Sequence, residues 1–249
     1  MEIYYGTCGF PRSKRALKEK LKAIEVQQTF YKPPSLETLK RWREELAPLR
    51  RHVKAWQLVT HPPSSPTYKR AGIIVPKDKY DKYGMLKLTE EVKDAWFKTV
   101  ECAKTLEADF IVVQTPPKFG YSEENLRRAL DFFEWAKESW KRIAWEPRGS
   151  WREHPEAVKK VVEEAGIVHA VDPFRWWPPL SGGPLYLRLH GRGGKEVNYR
   201  YKYTDQDLME LVELILNSGR EEAHVMFNNI YMFQDAVRFS EILEKLSKA

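Results

Sequence analysis

Glu146 and Arg148 stand two residues apart at the end of an apolar run, a spacing that turns both side chains the same way on extended backbone. A carboxylate beside a guanidinium stays ionised and can act as a general base, whereas one in a dry pocket can act as an acid. Similar polar residues close other apolar runs. Glu25 and Gln27 share one face of the second run, and Arg188 and His190 share one face of the seventh. Lys54 begins the third run, which ends on Thr60 and His61; Gln114, Asp172 and the pair Asn228 and Asn229 end the fourth, sixth and eighth. Three acids, Glu25, Glu146 and Asp172, thus face three cations, Lys54, Arg148 and Arg188. A lone buried charge costs several kcal/mol, so these six are expected to neutralise one another, either as a catalytic network or as ion pairs plugging the interior. His190 adds a group that titrates near neutral pH. These seven residues are the catalytic candidates, with Glu146 and Asp172 leading as acid or base.

The stretch His190-Gly191-Arg192-Gly193-Gly194-Lys195 joins glycines, whose backbone amides can approach an anion, to two cations, ingredients of a phosphate site as well as of a solvated turn. Gln27, Tyr31, His61, Gln114, Trp151, Trp177, Gly191, Arg192, Asn228 and Asn229 are the substrate-binding candidates, the tryptophans as platforms for a base or a sugar ring. Tyr199, Tyr201 and Tyr203 alternate with cations in NYRYKY, a pattern suited to stacking nucleobases. No metal motif occurs, so no metal ligand is assigned, although a divalent ion drawing one ligand per strand stays open. The cofactor is unknown. Cys8 falls just after the first run, with no base beside it in sequence.

These residues need a scaffold that gathers many strand ends. The β-branched and aromatic runs Glu2–Tyr5, Ile24–Tyr31, Val53–Thr60, Asp109–Gln114, Arg142–Glu146, Ile167–Val171, Leu185–His190 and Ala223–Asn228 alternate with amphipathic helical patterns. Ser35, Thr89, Ser122 and Thr204 mark helix starts, and a last helix is expected over 234–246. Eight strands and seven or eight helices in one domain of 249 residues fit a (β/α)8 TIM-like barrel, with an open doubly wound sheet as the alternative. Two stretches break the rhythm: an extended connection over 61–88 after strand three and an irregular loop over 174–184 after strand six.

The chain carries 42 Lys and Arg against 35 Asp and Glu, net +7, a bias that favours phosphate-bearing partners. Only five Asn and six Gln accompany this charge, so a heat-adapted, thermophile surface explains it equally well. No apolar run suits a membrane span, the start shows no cleavable leader, and two cysteines make no disulfide framework. A cytoplasmic location is expected, with no membrane partner and with oligomeric state undefined.

The segments GTCGF (6–10), EVQQTFYKPP (25–34), KAWQLVTH (54–61), QTPPKF (114–119), WEPRGSW (145–151), VDPF (171–174), YLRLHG (186–191) and VMFNN (225–229) followed by DA (235–236), in this order, resemble the YecE-like proteins, domain of unknown function 72. The resemblance implies a TIM barrel and points to the same strand-end residues, with Thr29 and Thr60 besides, but to no activity. The chain departs from the family pattern at Gln27 and Gln28, where Asn and Ser are usual, at Cys8, usually Ser, and at Gly149, where a residue such as His often follows the Arg. The leading functional expectation is a hydrolase or lyase acting on a phosphate-containing substrate, a nucleotide or nucleic acid, at the C-terminal mouth of the barrel. The alternatives are a non-catalytic nucleic-acid-binding protein and a carbohydrate-active barrel.

Overall fold

The computed structural model describes every residue except 181, 195 and 247–249, so Lys195 lies outside the described residues. In chain order the elements are β1 (Glu2–Cys8), α1 (Lys14–Lys20), β2 (Ala23–Val26), α2 (Gln28–Tyr31), α3 (Leu36–Leu46), β3 (Arg50–Lys54), α4 (Gln57–Thr60), α5 (Pro66–Arg70) and α6 (Glu90–Leu106). There follow β4 (Phe110–Gln114), α7 (Glu123–Ala136), β5 (Ile143–Glu146), α8 (Pro155–Ala165), β6 (Val168–Val171), β7 (Leu185–Leu189), α9 (Asp205–Leu216), β8 (Glu222–Phe227) and α10 (Met232–Leu246). The eight strands are hydrogen-bonded in that order and close as a barrel, the fold expected from the strand and helix rhythm. No described helix is long and apolar enough to cross a membrane.

The chain divides into two compact units. The first holds Met1–Glu25, Glu45–Arg50 and Ala170–Ala249. There β1 runs parallel to β8 from Glu2↔Glu222 to Thr7↔Phe227, and β7 lies on the other side of β8. Every residue of β7 is buried, as parallel strands covered on both faces require. Helix α9 starts on a capping box: the Thr204 hydroxyl accepts from Asp207 N–H while the Asp207 carboxylate accepts from Thr204 N–H.

The second unit holds Val26–Glu44 and Arg51–His169. Its β3, β4 and β5 pair in parallel, with Gln114 in register with Glu146. Thr89 and Ser122 cap α6 and α7 through their hydroxyls. The apolar stripe of α6, Val92, Ala95, Trp96, Val100 and Ala103, is buried.

Several strand ends differ from expectation. β2 stops at Val26 and β3 at Lys54, and in each case the apolar residues beyond form a single helical turn, α2 (QTFY) and α4 (QLVT). Gln27, Tyr31, Thr60 and His61 therefore sit on turns after the strands, and Lys54 ends β3 instead of beginning it. β7 ends at Leu189, leaving His190 one residue beyond. β1, by contrast, runs on to Cys8, which closes the strand. Among the described residues no helix or strand lies between β6 and β7, as the irregular loop predicts. The connection after β3 holds α5 and a 3-10 turn over Lys77–Lys82.

Candidate functional site

In the first unit, Glu25 and Arg188 form a two-point ion pair. Arg188 Nη2 lies 2.7 Å from Glu25 Oε1 and Nε lies 3.1 Å from Oε2, with both side chains at 0% exposure. The Tyr186 hydroxyl donates to Oε2 at 3.0 Å, and burial beside Glu25 holds that phenol well above its usual range. Tyr186 stacks on His224, which stacks on Tyr4 in turn. Glu25 and Arg188 are thus sealed inside the barrel. Cys8 Sγ lies 3.7 Å from Arg188 Nη2 and is likewise buried. Tyr186 was legible only as a residue two before Arg188 on the same strand face.

Asp172, at the end of β6, organises the loops around it. Its Oδ1 accepts from Phe174 N–H at 3.1 Å and its Oδ2 from His190 N–H at 2.9 Å, with Arg175 Nε 3.4 Å away. His190 Nδ1 lies 3.7 Å from the same carboxylate, and its ring meets the Tyr199 ring edge-on. Arg175 also donates to the carbonyls of Gly191 and Gly193.

That geometry engages part of the glycine-rich loop, which the sequence offers as a phosphate site or a solvated turn. The loop turns carbonyls toward Arg175, and the Gly191 N–H is taken by the Tyr203 hydroxyl at 2.7 Å. Arg192 is held by Asp207 and Glu210, both at 2.6 Å, and lies over the Phe174 ring. Asp207 stays below the usual carboxyl range despite its burial, because Tyr201, Thr204 and Arg192 all favour the ionised form. Gly191 has φ +84°, and a Cβ there would lie 2.1 Å from the Asn198 carbonyl oxygen, so only glycine fits. Asn229 Nδ2 donates to the Tyr201 carbonyl and to Asp235, which fixes the start of α10. Asn228 N–H donates to the Leu189 carbonyl. Trp177 lines a cleft with Glu210, Glu213 and Leu214 of α9.

In the second unit a different set gathers where β3, β4 and β5 end. Lys54 is buried, its Nζ donating to Gln114 Oε1 at 2.9 Å and lying 4.0 Å from the centre of the Phe30 ring. Thr29, on α2, donates to the Lys54 carbonyl at 2.7 Å and so ties that turn to the strand end. His61 packs edge-on against Phe30, and its Nδ1 lies 2.7 Å from the Thr60 hydroxyl. Burial, then Lys54, then Arg148 push the His61 pKa down to about 3, so the ring is neutral at pH 7. We assign Thr60 as the donor to Nδ1, which leaves the proton on Nε2.

Glu146 Oε1 accepts from Arg148 Nε at 2.7 Å, as the two-residue spacing predicts. His169, on β6, is held neutral by burial, which lowers its pKa to about 3 against an upward pull from Glu146. Tyr31 ends α2, its carbonyl accepting from Gln57 Nε2, and Gln27 heads the same turn. The extended connection closes over His61: the buried Tyr68 hydroxyl donates to the His61 carbonyl at 2.9 Å. Gly84, at φ +70°, leaves no room for a Cβ, which would lie 2.1 Å from that same oxygen.

Trp151 departs from expectation. It is fully buried, donates to the Phe119 carbonyl and packs edge-on against Trp145, so it offers no platform to a ligand. Sequence reasoning passed over Phe30, Gln57 and His169. Phe30 could have been found from its place between Thr29 and Tyr31, residues the resemblance points to; the other two carried no local signal.

Comparison with known proteins places this architecture. A family described as protein of unknown function DUF72 matches residues 11–249. A DUF72 family protein from Enterococcus faecalis V583 is 20% identical over 100% of this chain and 98% of its own, with a TM-score of 0.69. One from Thermotoga maritima MSB8 is 21% identical over the whole of both chains, with a TM-score of 0.65. Endonuclease IV from Thermus thermophilus is 12% identical over 99% of this chain and 100% of its own, at 0.55. These likenesses establish the barrel fold. No curated protein matches the chain.

Proposed function

This chain belongs to the DUF72 family, and from that premise we propose that it is an enzyme, a hydrolase or lyase, acting on a phosphate-containing substrate such as a nucleotide. The observation that carries the reading is the cluster of Lys54, His61 and Arg148 at the ends of β3 and β5. The charges that act most strongly on His61 are both positive, and its ring is neutral. A phosphoryl group suits such a place: Lys54 and Arg148 supply cationic donors, and the His61 Nε2–H supplies a neutral one at no cost in charge repulsion.

Glu146 is the acid or base in this scheme. It lies beside Arg148 at the end of β5, whereas both oxygens of Asp172 already accept backbone N–H groups. Asp172 and His190 then position the loops after β6 and β7, and Glu25 with Arg188 holds the interior.

A panel of phosphomonoesters, phosphodiesters and nucleotides tests the reading. The protein is expected to turn over at least one of them, with Glu146→Gln lowering kcat by about 100-fold or more and Lys54→Met lowering kcat/KM by a similar factor. Turnover that survives Lys54→Met unchanged, or no turnover anywhere in the panel, overturns it.

A further inference from the structure

The alternation of tyrosines and cations over 198–203 is not absorbed by the anion site. In the first unit those residues meet two other loops that follow neighbouring strands. Ile230 N–H donates to the Tyr199 carbonyl at 2.8 Å, which joins the loop after β7 to the one after β8. Lys202 Nζ lies 5.7 Å from the centre of the Tyr231 ring. Arg12, in the loop after β1, lies 5.9 Å from the centre of the Phe233 ring. Tyr231 and Phe233 are two residues apart at the start of α10, so both cation–aromatic pairs lie at the same end of that helix.

This region is open to solvent. Tyr199 is 42% exposed, Ile230 63% and Tyr231 36%, and Arg12, Arg200 and Lys202 are exposed as well. Large apolar side chains grouped on a surface mark an interaction site. Here two of the rings, Tyr231 and Phe233, each have a cation beside them. We infer that the strip formed by Tyr199, Tyr231 and Phe233 with Arg12, Arg200 and Lys202 is a binding surface for single-stranded nucleic acid.

Three features favour that partner. Rings of this kind stack on unpaired bases whatever their identity. The exposed cations beside the rings match backbone phosphates. A duplex hides its base faces, so it can use the cations alone and gains nothing from the rings. The surface shares no residue with the Lys54 cluster, and binding to it requires no turnover, so either reading can fail while the other stands.

Anisotropy of a fluorescent 12-nucleotide dT oligomer, with the intact protein, tests the proposal. Saturable binding is expected at low salt, with a log–log salt slope of about −2 for three neutralised phosphates, hence roughly tenfold to twentyfold weaker binding at 200 than at 50 mM. Tyr231→Ala is expected to weaken binding by about tenfold while Tyr231→Phe, which keeps the ring, restores it. Lys202→Gln should flatten the slope by about 0.7. Exposure of Tyr231 and Lys202 leaves the fold of these variants intact, which circular dichroism checks. No binding at 50 mM salt, equal binding of Tyr231→Ala, or a duplex of the same length binding as tightly as the single strand would each overturn the proposal. Binding to anionic vesicles in preference to the oligomer would overturn it in favour of a lipid surface.

Discussion

Arg188→Met is expected to destabilise the folded chain by about 3–5 kcal/mol, read from the urea midpoint at constant slope. The reason lies in what the substitution leaves behind. Glu25 has no exposed surface, and two of the contacts that hold its carboxylate come from the Arg188 guanidinium. Without them a buried negative charge loses both guanidinium contacts, while the Tyr186 hydroxyl still donates to it. Removing both charges together, in Glu25→Gln with Arg188→Met, should recover much of the loss, because a neutral pair of similar volume no longer strands an ion. A loss under about 1 kcal/mol in the single variant would show that the pair is not a structural unit of the interior.

Stability should also fall as pH drops from 6.5, by up to about 1.4 kcal/mol per pH unit for each of His61 and His169. Both rings have folded-state pKa values lowered to about 3 from an ordinary 6.5. Between those values the unfolded chain takes up protons that the folded chain does not. The stabilisation is therefore complete above pH 6.5 and is lost progressively as pH falls toward 3. Denaturant melts between pH 6.5 and about 5, above the range where most carboxylates titrate, isolate the effect. His169→Gln is expected to halve the slope. A stability that stays flat over that window would mean that neither ring is held neutral by the fold.

How much was legible in the sequence depended on the range of the interaction concerned. β4, β5, β6 and β8 are each an apolar run bounded by turn residues, and their limits were readable to within one residue. β2 and β3 were read too long for a definite reason: QTFY and QLVT continue the apolar character of the strands, and periodicity over four residues does not separate one helical turn from extended chain. The chemically active types were visible because a charge in a buried strand is conspicuous. Glu146 with Arg148 came straight from spacing. The partners of Glu25 and Arg192 did not, since Tyr186 and Asp207 lie 161 and 15 residues away from them and Asp207 reads locally as a helix cap. Trp151 misled for the opposite reason: a tryptophan beside a strand end looks like a platform, and only the packing of Phe119 and Trp145 shows that it is core.

The cluster at the ends of β3 and β5 implies a preferred place for an oxyanion, and tungstate, a phosphate mimic with strong anomalous scattering, can locate it. In crystals soaked with tungstate, the strongest anomalous peak is predicted within about 4 Å of Lys54 Nζ and beside the Arg148 guanidinium, and it should vanish in Lys54→Met crystals. A peak that persists in that variant, or anomalous density found only at other surfaces, would contradict the account.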